Sequence, residues 1–162
     1  MMKTFFTLIV FLSVSWNVSG QDKIKRWQGN MQKCKVKFSE INEMISLIEK
    51  EVVKTQKNLA FVENIKSTRA CGRQGGVSAQ KKNEYINWIR QRIRDITESS
   101  QSEILKICVG IVQGTFPYPP EVEPLIEELR STFPMEVINH NLGRSEALHE
   151  ILYELNQRVL AL

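Results

Sequence analysis

The chain has 162 residues, of which 42% are hydrophobic, and it carries 22 Lys and Arg against 18 Asp and Glu. This length and composition suit one globular domain and argue against a multidomain enzyme or a long disordered tail. Three cysteines are too few for a disulfide-dense miniprotein, and a net charge of +4 is too small to identify a partner.

The first twenty residues have the features of a secretory signal peptide. A lysine precedes the apolar run 5–12, and Val18 and Gly20 suit the positions that signal peptidase recognises. The run is too short to cross about 30 Å of hydrocarbon. We therefore predict that residues 1–20 are removed and that a secreted, extracellular protein begins at Gln21.

A seam of apolar residues spaced alternately by three and four predicts a first helix over about 28–67. This is a heptad pattern held for four repeats, and no proline occurs between Gln21 and Phe116 to interrupt it. The members of the seam are Met31, Cys34, Phe38, Ile41, Ile45, Ile48, Val52, Thr55, Leu59 and Val62.

A second run with the same spacing predicts a helix over about 79–113, capped by Ser78. A glycine-rich segment precedes it, so we expect an antiparallel, coiled-coil-like hairpin over 21–113. In one alternative this helix is two helices, because Ser100 and Glu103 match a capping box. The run consists of Tyr85 or Ile86, Ile89, Ile93, Ile96, Ser100, Ile104, Ile107 or Cys108, and Ile111.

The C-terminal part begins with a proline-rich connector over 114–121, which we expect to be extended. Two shorter helices are predicted next, at about 120–133 and at about 145–160, and they form the C-terminal helical pair assigned to 122–162. Ser145 is the expected cap of the second, after a polar turn at 139–141. The apolar face of the first helix contains Val122, Leu125, Ile126, Leu129 and Phe133, and that of the second contains Leu148, Leu152, Leu155 and Val159. The predicted fold is an all-α helical bundle in which this pair packs on the hairpin.

The hairpin predicts which cysteines pair. In an antiparallel pair that turns near residues 71–72, residues whose numbers add to about 142 lie side by side, as those of Cys34 and Cys108 do. We therefore predict a Cys34–Cys108 disulfide and a Cys71 that is either a free thiol or an intermolecular bridge. If the second helix breaks near Ser100, a Cys71–Cys108 pairing becomes an alternative.

Charge is divided between the two parts of the chain. Residues 21–113 have 18 basic and 10 acidic side chains, whereas residues 114–162 have 3 and 8. One interpretation is that the acidic helices fold back on the basic hairpin. The other is an anion-binding face on the second helix, where aromatic and basic side chains share a flank. The candidate face comprises Tyr85, Trp88, Arg90, Arg92 and Arg94.

The sequence contains no motif of a known catalytic, metal or cofactor site. The two histidines, His140 and His149, have no cysteine or carboxylate at metal-ligand spacing, and no CxxC, HExxH, GxSxG, P-loop or dinucleotide fingerprint occurs. We therefore expect a non-enzymatic protein without cofactors.

The expected function is binding of an extracellular protein or receptor, as a ligand, inhibitor or effector. An anionic glycan or membrane surface is a second class of partner, and an extracellular location argues against nucleic acid. The alternative function is transport of a lipid or another apolar small molecule between amphipathic helices. A homodimer through Cys71 or through the heptad seam is a further expectation.

Overall fold

The computed structural model describes residues 20–68 and 77–162, and these residues form five α-helices and no strand. Residues 1–19 of the predicted signal peptide, Cys71 and the glycine-rich segment before Val77 lie outside the described residues. The all-α prediction is confirmed. The helices are α1 (Gly20–Thr68), α2 (Ala79–Ser100), α3 (Glu103–Gln113), α4 (Glu123–Thr132) and α5 (Met135–Leu160), with a 3₁₀ turn at Pro120–Val122.

Helix α1 buries the predicted seam along one face. All its members are buried except Val62, which is half-buried. The helix begins eight residues earlier than predicted because Trp27, four residues before Met31, extends the same face and is also buried. The Trp27 ring contacts Tyr118 edge to face, with 6.3 Å between ring centroids.

The second predicted helix is two helices, as the alternative anticipated. The single helix over 79–113 is therefore wrong, and the cap before α3 is Ser102, whose Oγ accepts a hydrogen bond from the Leu105 amide at 3.3 Å. The Ser100 hydroxyl instead donates to the Thr97 carbonyl. Because the break shifts the helical phase, Leu105 is buried and the predicted Ile104 is exposed.

Helix α3 ends at Gly114, whose φ of +78° lies in the left-handed region. The Gly110 carbonyl accepts hydrogen bonds from the amides of Thr115 and Phe116, and the Ile111 carbonyl accepts one from Gly114. A methyl group on Gly110 would lie 3.3 Å from Phe116 Cβ. The glycine thus lets the connector leave close to the helix. Within the segment predicted to be extended, Phe116 lies in a bend, Pro119 is extended, and the 3₁₀ turn begins at Pro120.

Helix α5 begins ten residues before the prediction, at Met135. The amides of Val137 and Ile138 donate to the Pro134 carbonyl, so the proline starts the helix. The predicted polar turn at 139–141 is helical, and Ser145 is a buried residue inside the helix, so its prediction as a cap is wrong. Ile138 extends the apolar face backward, which overrides the weak helix preference of the asparagines.

The described residues divide into two compact units. Unit 1 contains residues 20–41 of α1 with Gln101–His140. Cys34 and Cys108 lie at disulfide distance in its core, with Cα atoms 5.5 Å apart and both side chains fully buried. The rings of Phe38 and Phe133 pack at a tilt of 45°, with ring centroids 5.2 Å apart. This is the cysteine pairing predicted from the sequence, and it forms despite the break between α2 and α3.

Unit 2 contains Asn42–Ser100 and Asn141–Leu162. Arg144 donates to Glu49, and Arg158 donates to Glu63. Both pairs join residues 95 positions apart, so α5 runs parallel to α1 within this unit. The core contains the fully buried Ile45, Ile48, Leu59, Ile89, Ile96, Leu152, Leu155 and Val159.

Candidate functional site

An open groove of about 370 Å³ lies between α1 and α2 in unit 2. Tyr85 and Trp88 supply its aromatic surface, and both rings are half-buried. Aromatic rings that are partly exposed beside polar groups offer stacking area together with hydrogen-bonding neighbours. The groove is lined by Glu51, Lys54, Thr55, Asn58, Lys81, Glu84, Tyr85 and Trp88.

The two carboxylates of the groove already have partners in the protein. Glu51 accepts a hydrogen bond from Arg92 Nε at 2.7 Å, and Glu84 accepts one from Gln80 at 3.4 Å. Arg92 also donates to Asp95 at 2.9 Å. Burial lowers the pKa of Arg92, but the hydrogen bonds to Asp95 and Glu51 outweigh it and raise the pKa above its ordinary value. Arg92 is therefore a charged structural link between α1 and α2.

The two lysines of the groove have no such partner. Lys54 on α1 and Lys81 on α2 are exposed, and neither forms an ion pair with another described residue. An unpaired ammonium group beside an aromatic ring can bind an anion or pack its stem on the ring. With Glu51 and Glu84 engaged, the groove presents two available cations around the Tyr85–Trp88 pair.

The predicted binding face on α2 is divided by the structure. Tyr85 and Trp88 line the groove, and Arg92 is half-buried in its ion pairs. Arg90 and Arg94 are exposed on the side of α2 away from the groove, without an ion pair to a described residue. The five residues therefore lie on two different faces of the helix.

Sequence reasoning missed the α1 side of the groove. Thr55 and Asn58 line the groove together with Trp88 and Tyr85, and the numbers of Thr55 and Trp88, like those of Asn58 and Tyr85, add to 143. The register predicted from Cys34 and Cys108 already contained this signal to within one residue. Applying it to Tyr85 and Trp88 would have indicated Lys54, Thr55 and Asn58.

The histidines and carboxylates of the described ranges do not cluster as metal ligands would. No group of three or more His, Cys, Asp or Glu side chains lies close enough to hold a metal ion there. His140 and His149 are both exposed on α5. None of the helices within 20–68 and 77–162 combines the length and apolar character needed to cross a membrane.

Comparisons with known proteins returned no relative. No protein-family model matches the chain, and neither a curated protein nor a solved structure matches it significantly.

Proposed function

We propose that this is a secreted, non-enzymatic protein that binds an acidic segment of an extracellular protein in the groove between α1 and α2. The observation that supports it most is the combination of a Tyr85–Trp88 surface with unpaired Lys54 and Lys81. Aromatic residues that bury one edge and present the other are typical anchors of protein interfaces. The two ammonium groups favour carboxylates in the partner.

Export belongs to the same proposal. The signal-like first twenty residues support it, and so does a cysteine pair at disulfide distance, because disulfides persist in oxidising compartments. Expression of the full chain in secretory cells, followed by N-terminal sequencing, tests it. We expect protein in the medium beginning at Gln21, whereas retention of the uncleaved chain in the cell would contradict export.

A hairpin over residues 21–113 is the scaffold we propose for this groove. Support comes from each unit separately, since the residue numbers of Cys34 and Cys108 add to 142 in unit 1 and those of Glu51 and Arg92 add to 143 in unit 2. Nearly constant sums are what an antiparallel pair of helices produces. Electron paramagnetic resonance distances between spin labels at the exposed positions 53 and 90, and at 60 and 83, test this register, since each pair adds to 143.

Trp88 provides the direct test of the groove. In a chain that begins at Gln21, a W27F substitution leaves Trp88 as the single tryptophan. We expect its fluorescence to change saturably with an octapeptide of glutamates but not with one of glutamines. K54E/K81E should weaken the binding at least tenfold.

The matched control for that variant is K23E/K33E. Both lysines are exposed in unit 1, lack an ion pair in the described part of the chain, and give the same change in net charge. Equal weakening by the two variants would show that net charge and not the groove attracts the peptide. A fatty acid retained in native mass spectra, with no peptide binding, would favour the carrier function instead.

A further inference from the structure

Helices α1 and α5 carry rows of opposite charge on their outward surfaces in unit 2. The basic row consists of Lys50, Lys54 and Lys57, which fall within about 60° of arc at 100° per residue. The acidic row consists of Glu146, Glu150 and Glu154, which fall within about 80°. All six residues are exposed.

These charges are not used inside the chain. Lys50 and Lys57 form no ion pair with a described residue, and the same holds for Glu146 and Glu150. Helix α5 is attached to α1 in this unit through the arginines Arg144 and Arg158. Glu146 and Glu150 therefore remain exposed on α5, and Glu154 lies close enough to Arg158 to contribute to the raised pKa of that arginine.

Exposed apolar side chains accompany both rows. Leu47 and Phe61 flank the basic row at spacings of three and four residues, and they are 55% and 67% exposed. Tyr153 and Leu160 lie beside and beyond the acidic row, and they are 59% and 46% exposed. Large apolar groups that stay in water beside unpaired charges are a feature of interaction surfaces.

We propose that the occupant of the basic row is the acidic row of a second copy of this chain. The charges are complementary, the spacings of four and three match those of four and four within one residue, and each row brings apolar side chains to the contact. A row of lysines cannot pair with itself, so one copy presents α1 while the other presents α5. Such head-to-tail contacts leave the opposite row of each copy available for a further molecule.

The strength of this contact follows from its exposure. Each exposed Lys–Glu pair contributes little, and the Debye length shortens from about 10 Å at 0.1 M salt to about 3 Å at 1 M. The association is therefore weak, concentration-dependent and suppressed by salt. Sedimentation velocity over a range of protein concentrations, at low and at high salt, measures it.

The decisive variants reverse one row at a time. K50E/K57E gives a molecule with two acidic surfaces, and E146K/E150K gives one with two basic surfaces. Each variant alone should have an association constant at least tenfold lower than that of the wild type. An equimolar mixture should restore association, because the reversed α1 of the first is again complementary to the reversed α5 of the second.

The control is R90E/R94E, which changes the net charge by the same amount as K50E/K57E, on exposed residues of α2 in the same unit. It should associate like the wild type. A monomeric wild type, a mixture that stays monomeric, or equal loss in the control would each overturn the proposal. If K50E/K57E loses helicity by circular dichroism, K50Q/K57Q replaces it and should weaken association less steeply.

This inference can be tested separately from the groove, although Lys54 belongs to both the groove and the basic row. Lys54 is left unchanged in the row variants, and Lys81 and Trp88 are left unchanged as well. K50E/K57E should still bind the acidic peptide, and K81E, which leaves all three lysines of the basic row in place, should still associate like the wild type. A wild type that associates but does not bind the peptide would contradict only the proposed function. A wild type that binds the peptide but does not associate would contradict only the self-association.

Discussion

Arg130 joins three segments of unit 1 through one side chain. Its Nε donates to the Val112 carbonyl in the last turn of α3 at 3.0 Å, and its Nη2 donates to the Tyr118 hydroxyl at 3.2 Å. Its Nη1 pairs with Glu123 and Glu127. Hydrogen bonding to Glu127 is the main reason that the pKa of Arg130 is raised above its ordinary value.

We expect R130M to lower the free energy of unfolding by about 1–2 kcal/mol, because Val112 and Tyr118 lose a charged donor in a partly exposed place. R130K keeps the charge but lacks the planar fork, so it should recover only part of the loss. Urea unfolding measures both. Full recovery with lysine would show that charge alone matters and that the hydrogen bonds contribute little.

Glu63 predicts a pH dependence at the end of unit 2. Hydrogen bonding from Arg158, at 2.7 Å from Nη2, lowers the pKa of Glu63 below 4.5 in the folded protein. A lowered folded pKa stabilises the protein fully above the unfolded value, and this stabilisation is lost as pH falls through the folded pKa. The pair is partly exposed, so the effect is about 0.3–1 kcal/mol.

E63Q should therefore be less stable than the wild type at neutral pH, and the difference should shrink in acid and disappear as pH falls through the lowered folded pKa of Glu63. Thermal melts at a series of pH values measure it. In an R158M background the same substitution should change little at any pH. A difference that persists undiminished in acid would contradict this origin of the stabilisation.

At the scale of elements, the break between α2 and α3 depends on one serine. Ser102 Oγ caps α3, whereas Ser100 lies in the last turn of α2. We expect S102A to lower the free energy of unfolding by about 1 kcal/mol, the usual cost of losing an N-cap. S100A is the matched control and should cost only a few tenths. Equal effects in urea unfolding would mean that neither serine is a specific cap.

The helices differ in how well the sequence predicts them. In α1 the spacing of apolar residues corresponds directly to burial, so the prediction failed only at the N-terminal end, where Trp27 extends the face. In α5 the local signals mislead, because Asn139 and Asn141 favour turns and Ser145 suits a cap. Tertiary contacts decide otherwise: Ile138 is buried, and Arg144 bonds to Glu49 and Ser46 of α1.

Only one wall of the groove could be predicted, because the other depends on contacts between helices. The flank of α2 that carries Tyr85 and Trp88 follows from spacing within one helix, so the sequence revealed it. The other wall belongs to α1 and requires the register between two helices. The sequence also could not show that Arg92 pairs with Glu51, and this ion pair is what removes the arginine from the candidate face.

The Cys34–Cys108 pair connects α1 to α3 across 74 positions of sequence. Closing a loop of this length removes conformational entropy from the unfolded chain worth about 4 kcal/mol at 25 °C. We expect C34A/C108A to lose about 2–4 kcal/mol of stability while keeping its helical circular dichroism, since both positions stay apolar. Unchanged stability under reducing and non-reducing conditions would contradict a bond at this position.

At the scale of the whole molecule, the basic residues of 21–113 and the acidic residues of 114–162 do not simply pair with each other. The expected contact between a basic N-terminal side chain and an acidic C-terminal one occurs at Lys35 and Glu128. Helix α5 shows the reverse polarity: its basic side chains Arg144 and Arg158 pair with acidic side chains of α1. The acidic excess of the C-terminal part consequently stays on the surface, where a partner can reach it.

The two units share helices α1 and α5, which run without interruption through the unit boundaries at residues 41–42 and 140–141. Helix formation is cooperative along an uninterrupted segment, so melting one end of α1 or α5 raises the cost of keeping the other end. We therefore expect the units to unfold together. In a chain that begins at Gln21, Trp27 reports on unit 1 and Trp88 on unit 2.

The single-tryptophan variants W88F and W27F should accordingly give coincident fluorescence transitions in urea, which is the usual test of two-state unfolding. The stronger test adds L152A, which opens a cavity at a fully buried position of unit 2 and should cost about 2–5 kcal/mol. With cooperative units, this substitution lowers the Trp27 midpoint as much as the Trp88 midpoint, although Trp27 lies in the other unit. A Trp27 transition that stays at its original urea concentration while the Trp88 transition moves would establish two independently folding units.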